Sequence, residues 1–163
     1  MLNVDEILAP GNWDAADHVV IDADDRYRRR IAMRSHGGIR FLLNLSHARL
    51  LRHGEGLRLS DGRVVKILAA EEDLYRVSGR DGLHLLRLAW HIGNRHLPSE
   101  IHDDHLLIRR DHVIRDMLTG LGANVVDCRA PFDPEGGAYD RQGSAHHHGH
   151  SHDHDHGQGG HPA

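Results

Sequence analysis

The sequence predicts an α+β protein: a β-rich first half, a second part in which strands alternate with two helices, and a histidine-rich end that joins neither. Three observations carry this. Short apolar runs separated by glycine-containing turns fill the first half; after Glu71-Glu72-Asp73 the apolar period lengthens from that of a strand toward that of a helix; and the stretch from Ala145 to Ala163 has no aliphatic side chain larger than alanine, so it cannot build a core. The expected units are residues 1–72, 73–138 and 139–163.

Val19-Val20-Ile21 makes the first strand-like run, Arg30 to Arg34 alternates polar with apolar, Gly38 to Leu45 is a longer run, and Val64 to Ala70 another. His36-Gly37-Gly38 and Asp61-Gly62 separate them with residues that accept positive φ, as tight hairpins require. Leu74 to Val77 opens the second unit as a strand. A helix then starts near Asp81, because Leu85, Leu88, Ala89 and Ile92 recur at i, i+3, i+4 and i+7. Gly93 weakens it near its end and Pro98 prevents its continuation. Leu106 to Ile108 reads as a strand, and Asp111 as the N-cap of a helix burying Val113, Ile114, Met117, Leu118 and Leu121 and stopping at Gly120 to Gly122. Asn124 to Cys128 closes the series, Pro131 and Pro134 end regular structure, and Asp133 to Gly143 reads as a linker. Two helices on one face of a small sheet is the arrangement such a series favours.

Composition narrows the function classes. The chain has 163 residues and a formal net charge of −4, with acidic and basic residues interspersed, so no basic stripe suggests nucleic acid. Arg26, Arg28, Arg29 and Arg30 form the one local cluster, expected on the exposed face of a strand or turn, with a protein contact as the alternative. A solitary Cys128 gives no disulfide framework and reads as a small buried hydrophobe. The start, MLNVDEILAP, has neither the basic beginning nor the apolar stretch of a secretory signal, so the expected compartment is the cytoplasm. No window is apolar enough to span a bilayer, and no membrane partner is expected.

Histidine is where the chemistry concentrates. Eight of the eighteen histidines stand in the last nineteen residues. Imidazole suits nickel, copper and zinc, and Asp153 and Asp155 add harder oxygen donors between the rings. The longest histidine run is three and the spacing is irregular, unlike an expression tag. His146, His147, His148, His150, His152, His154 and His156 are therefore candidate metal ligands on a flexible reservoir.

In the body, His96 lies past Gly93 at a helix exit, where a side chain can point freely; position alone favours an ordinary surface or capping residue. His112 follows Asp111 at a helix start, where imidazole is biased toward neutral and keeps a lone pair for metal, with a solvent-facing residue as the plainer reading. His91 can join a site near His96, and His84 is expected to be solvated. His102-Asp103-Asp104-His105 contains a His-x-x-His pair but no helical context. There is no His-Glu-x-x-His pair, phosphate-binding glycine loop, Cys-x-x-Cys or Gly-x-Ser-x-Gly turn, so no catalytic residues are assigned and no enzyme is expected.

Gly93-Asn94-Arg95-His96 with Leu97-Pro98, then Asp111-His112-Val113, then Pro131-Phe132-Asp133-Pro134-Glu135 with Gly137-Ala138-Tyr139 and a His-rich end, resembles the urease accessory nickel chaperones called UreE. The resemblance runs from Ile31 to the C-terminus, and the Asp61 to Val65 hairpin fits the family's N-terminal domain. It implies a β-rich peptide- or partner-binding N-terminal domain, a ferredoxin-like (βαββαβ-type) metal-binding and dimerisation domain, and a disordered His-rich tail. It also implies a homodimer that delivers Ni²⁺, and can take up Zn²⁺ or Cu²⁺, in concert with the urease accessory GTPase and the urease apoprotein complex. His96 matches the family's central ligand, supplied by both subunits; His112 matches a second ligand position; His91 matches a histidine found in some members. Some members also carry histidine two residues before the second position, where this chain has Arg110.

A two-fold site would explain how one histidine per chain suffices, because every ligand near the axis is duplicated. From Tyr139 to His150 is about eleven residues, a root-mean-square reach near 18 Å for a flexible chain, so tail imidazoles could complete the coordination. Two other classes compete: a storage or buffering protein for nickel, zinc or copper in which the tail does everything, and a metal-dependent enzyme built on His96 and His112 with an open coordination position.

Overall fold

A computed structural model of the chain describes residues 1–136. Its first unit is one six-stranded sheet. The strands are β1 (Leu2–Leu8), β2 (Asp17–Ile21), β3 (Tyr27–Arg34), β4 (Arg40–Leu50), β5 (Gly56–Leu59) and β6 (Val64–Ala69), with a four-residue helix α1 (Ala23–Arg26) between β2 and β3. Their order across the sheet is β2-β6-β5-β1-β4-β3. Hairpins join β3 to β4 and β5 to β6, whereas β1 lies parallel to β4 and β2 parallel to β6. Gly38 (φ 95°) and Gly62 (φ 87°) make the two hairpin turns at backbone angles a Cβ would strain, as expected. Val19, Phe41, Leu43, Leu51, Leu57, Leu59, Val65 and Ile67 form the core between the sheet's folded halves.

The second unit runs β7 (Glu71–Ser78), α2 (Gly82–Asn94), β8 (Ser99–Ile101), β9 (Leu106–Arg109), α3 (His112–Gly120), β10 (Asn124–Pro131). Its strands form an antiparallel sheet in the order β10-β7-β9-β8. Leu85, Leu88 and Ile92 of α2 and Ile114 and Leu118 of α3 pack on Tyr75, Val77, Leu106 and Ile108, so both helices cover one face. The opposite face presents Leu74 and Leu107, which pack with Phe132 and with Ala23 from the first unit. Asp81 caps α2 by accepting from His84 N at 2.7 Å, and Asp111 caps α3 by accepting from Val113 N and Ile114 N at 2.9 and 3.1 Å.

Several expectations need correcting. β1, β5 and β8 did not stand out as apolar runs: β1 is interrupted by Asn3, Asp5 and Glu6, and β8 has three residues. Val113 is 58% exposed, because the capping turn rotates it off the face shared by Ile114 and Leu118. Cys128 is only half-buried, beside Leu74 and Phe132. Arg26, expected at the surface, has no exposed side-chain area. Its Nη1 donates to Leu51 O at 3.1 Å and pairs with Asp133 Oδ1 at 2.8 Å, and its Nη2 donates to Phe132 O. Asp133 to Glu135 is thus no free linker: Asp133 also meets Arg52 at 3.3 Å, and its N–H donates to Glu100 Oε2 at 2.8 Å. The expected tail, with His146, His147, His148, His150, His152, His154 and His156, lies outside the described residues.

Candidate metal centre

The exit of α2 determines where His96 stands. Asn94 ends the helix, Arg95 caps it, and His96 takes φ 55°, the one positive φ among the described non-glycine residues. His96 N donates to Gly93 O at 3.0 Å, closing the turn. In this left-handed position the chain reverses sharply, and the imidazole is left exposed. Histidine is among the few non-glycine residues enriched there.

The neighbouring helix approaches the same end. Near the start of α2, His84 Nε2 meets Leu121 O at 2.8 Å beyond the end of α3; near its exit, Arg95 Nε meets Met117 Sδ at 2.7 Å inside α3. The helices are therefore antiparallel, and His112, five residues before Met117, lies about 7.5 Å further along α3 toward the α2 exit end. His112 is exposed as the first residue of α3, and His91 is half-buried with its ring edge against Trp90 at 5.0 Å. Among the described residues, no three histidine, cysteine, aspartate or glutamate side chains gather into a group able to hold a metal ion. His91, His96 and His112 share one end of a layer without forming such a group within one chain.

Other histidines are accounted for by the fold. His84, expected in solvent, is 5% exposed: its Nδ1 accepts from Arg80 N at 3.0 Å while Nε2 faces Leu121 O, which makes it a buried tie between the two helices. His102 and His105 stack with ring centroids 4.3 Å apart, His102 held by Glu100 at 3.0 Å and His105 by Asp104 at 2.6 Å. Arg110 donates to Leu74 O at 3.1 Å and Cys128 O at 2.9 Å, joining β7 and β10, so at this position the chain carries a sheet clamp.

The sequence reading missed a second stripe on α2. Leu83, Leu86 and Trp90, at i, i+3 and i+7, are 59%, 70% and 65% exposed on the side away from the sheet. The signal was present, since α2 carries large apolar residues on both faces, and a soluble helix needs only one such face for its own core. Beside the α2 exit, Gly93, Leu97, Pro98, Ile101 and Glu135 line an open cavity of about 190 Å³. Glu135 N donates to Ser99 O at 2.7 Å, so the described chain ends next to the turn that displays His96.

These features define an α+β protein that displays histidine on an exposed helix-exit turn beside an exposed apolar helix face. A model described as the UreE urease accessory protein N-terminal domain matches residues 4–70, and one described as its C-terminal domain matches residues 72–157. The chain belongs to the UreE family of urease accessory proteins. The urease accessory protein UreE of Chelativorans sp. (strain BNC1) is 62% identical over 136 residues, covering 82% of this chain and 86% of that protein. The UreE of Rhodopseudomonas palustris (strain HaA2) is 53% identical over 150 residues, 90% and 70% of the two chains, and that of Bradyrhizobium sp. (strain ORS 278) is 51% identical over 148 residues, again 90% and 70%. The family assigns the chain an accessory role in urease maturation. No described helix is long and apolar enough to cross a membrane.

Proposed function

We propose that the chain is a nickel metallochaperone that binds Ni²⁺ at a site shared by two copies and through its histidine-rich end, and hands the ion over for assembly of the urease active site. One observation carries the reading: the outer stripe of α2, Leu83, Leu86 and Trp90, leads along the helix to the turn that displays His96. Two copies that bury these stripes against each other about a two-fold axis duplicate every nearby ligand, so His96 meets its mate without further sequence. His112 and His91 are the candidate flanking ligands. His146, His147, His148, His150, His152, His154 and His156 supply further imidazoles, and the same donors accept Zn²⁺ or Cu²⁺.

The division into residues 1–72, 73–138 and 139–163 belongs to this proposal, although β7 of the second sheet begins at Glu71, two residues before the second of these units. The strand order β10-β7-β9-β8, with both helices on one face, supports a ferredoxin-like reading of the middle part. The N-terminal part docks partners, with the urease accessory GTPase and the urease apoprotein complex as receivers, in the cytoplasm. Copper binds nitrogen donors more tightly than nickel does, so affinity alone gives no selectivity and docking must direct the cargo. A dissociation constant near micromolar, about −8 kcal/mol, captures scarce ion yet releases it to a site of better geometry.

The test is nickel-dependent urease activity in cells carrying the intact chain, a chain ending at Tyr139, and His96→Ala, with nickel stoichiometry and solution scattering on the purified proteins. The shortened chain should bind fewer ions and still support part of the activation; His96→Ala should lose the shared site and keep most of the capacity of the tail. Normal activation by His96→Ala, or single protomers only under saturating Ni²⁺, would overturn the proposal. A shortened chain with no remaining activity would favour the storage reading.

A further inference from the structure

Among the described residues no strand pairs with either edge of the six-stranded sheet, β2 or β3, and the chain brings those two edges face to face. At one end α1 links them directly, from Ile21 to Tyr27. At the other, His36 N donates to His18 O at 2.9 Å, Gly37 N donates to Asp17 Oδ2 at 2.7 Å, Ser35 Oγ bonds the same carboxylate, and the His18 and His36 rings stack with centroids 4.9 Å apart. Between these ties lies an open cavity of about 440 Å³ lined by both strands. Facing edges that carry no ladder are unusual, because each offers backbone donors and acceptors to any extended chain that reaches it.

We infer that this slot takes an extended, acidic segment of a partner protein, bound as an added strand along β2 and β3. Two independent features give the segment its chemistry. The floor is apolar: Val19, Ile21, Ile31 and Met33 line the cavity, and Val20 on β2 is 59% exposed. The basic side is β3. Arg28 and Arg34 line the cavity, as does the acidic Asp25; Arg29 and Arg30 stand between the two arginines on the same strand, and Arg40 pairs with Arg34 across the hairpin. Arg29, Arg30, Arg34 and Arg40 have no side-chain hydrogen bond or ion pair among the described residues. Arg34 and Arg40 are direct partners in the β3–β4 ladder, a like-charge pair that an incoming carboxylate would relieve. Arg28, also on the lining, pairs with Asp25 at 2.6 Å through one terminal nitrogen, while its buried Nε has no acceptor among the described residues. From Arg28 to Arg34 β3 spans about 20 Å, room for an extended segment of roughly five residues that alternates apolar and acidic side chains, while β2, whose His18 carbonyl is taken by His36 N, faces it from Val19 to Ile21.

This inference deepens the partner-docking part of the proposed function and is independent of nickel, so its test reads the two separately. Full-length protein is titrated with a fluorescein-labelled octapeptide of alternating valine and glutamate, and with a valine–lysine counterpart, while amide hydrogen exchange maps protection and equilibrium dialysis reports nickel. The glutamate peptide should bind and protect amides in β2 and β3. Arg34→Glu should weaken it about ten-fold and strengthen the lysine peptide, with nickel uptake unchanged. The inference is overturned by no binding of the glutamate peptide at about 1 mM, by protection elsewhere than in the two edges, or by equal affinity for both peptides. It is also overturned if β2 and β3 are protected in the unliganded full chain and lose that protection when residues 137–163 are removed, which would assign the slot to this chain's own end.

Discussion

His96 occupies at the exit of α2 the position that Gly122 (φ 82°) occupies at the exit of α3. Both helices end in a residue with positive φ whose N–H bonds back to the carbonyl three residues earlier, Gly93 for His96 and Thr119 for Gly122. A Cβ at this position costs about 1 kcal/mol, which the second helix avoids and the first bears. His96→Gly should therefore stabilise the folded chain by about 1 kcal/mol, read as a raised urea midpoint, while the proposed shared nickel site is lost. An unchanged or lowered midpoint would mean that the His96 ring makes a stabilising contact of its own. The contrast with His84 shows what was legible at this scale. Both histidines belong to the same helix-and-turn segment, and spacing placed His96 correctly past the helix end. His84 was misread because its environment is built by Arg80 N and Leu121 O, the latter thirty-seven residues away, and no local pattern records such a partner. Arg26 was misread for the same reason, its partners Phe132 and Asp133 being more than a hundred residues away.

Elements with their own period were readable, and those stabilised mainly by neighbours were not. The α2 and α3 helices showed through apolar spacing and aspartate caps, and both glycine hairpins through their turn residues. The edge strand β8 has three residues, and β1 mixes acids with aliphatics; each is a strand because of what lies beside it, β9 for one and β4 with β5 for the other. The turn between β3 and β4 is likewise fixed from outside. Asp17 on β2 accepts from Ser35 Oγ, its neighbour His18 N and Gly37 N, and these bonds, the Ser35 hydroxyl foremost and then His18 N, hold its carboxyl below the ordinary value of 3.8. A carboxyl with a lowered folded-state value contributes stability above the unfolded value and loses it as pH falls through the folded one. The tie between β2 and the turn should therefore hold at neutral pH and fail only below about pH 3.8. Asp17→Asn should flatten the acid limb of the stability profile, checked by urea midpoints from pH 7 down to 3. An identical acid limb in both proteins would assign the loss to other carboxylates.

At the scale of the molecule, the two sheets are joined by a polar junction centred on Asp133. Its carboxylate receives Arg26 Nη1 at 2.8 Å, Arg52 Nη2 at 3.3 Å and His53 N at 3.4 Å, all from the first unit, while its own N–H is held by Glu100 of the second. Arg109 reinforces the seam, bonding Asp24 at 3.1 Å and Glu72 at 3.0 Å and lying 5.3 Å above the Phe132 ring. A fully buried guanidinium is tolerable only while its charge is met, and removing the one carboxylate that meets Arg26 among the described residues leaves it facing the carbonyl oxygens of Leu51 and Phe132. Asp133→Ala should then cost about 3 kcal/mol, at the low end for a broken buried pair because Leu51 O and Phe132 O still accept. The loss should fall on coupling between the units. Hydrogen exchange in rising urea should show the strands of β2 to β6 and those of β7 to β10 losing protection together in the intact chain and at separate midpoints in Asp133→Ala. If the proposed hand-over of nickel requires a partner seated on the first unit to be held in register with His96 on the second, the same variant should bind nickel normally and support urease poorly. Separate midpoints with undiminished urease activation would show that the junction stabilises the chain without serving delivery. Coincident midpoints at unchanged urea would show that Arg26 finds another counter-charge.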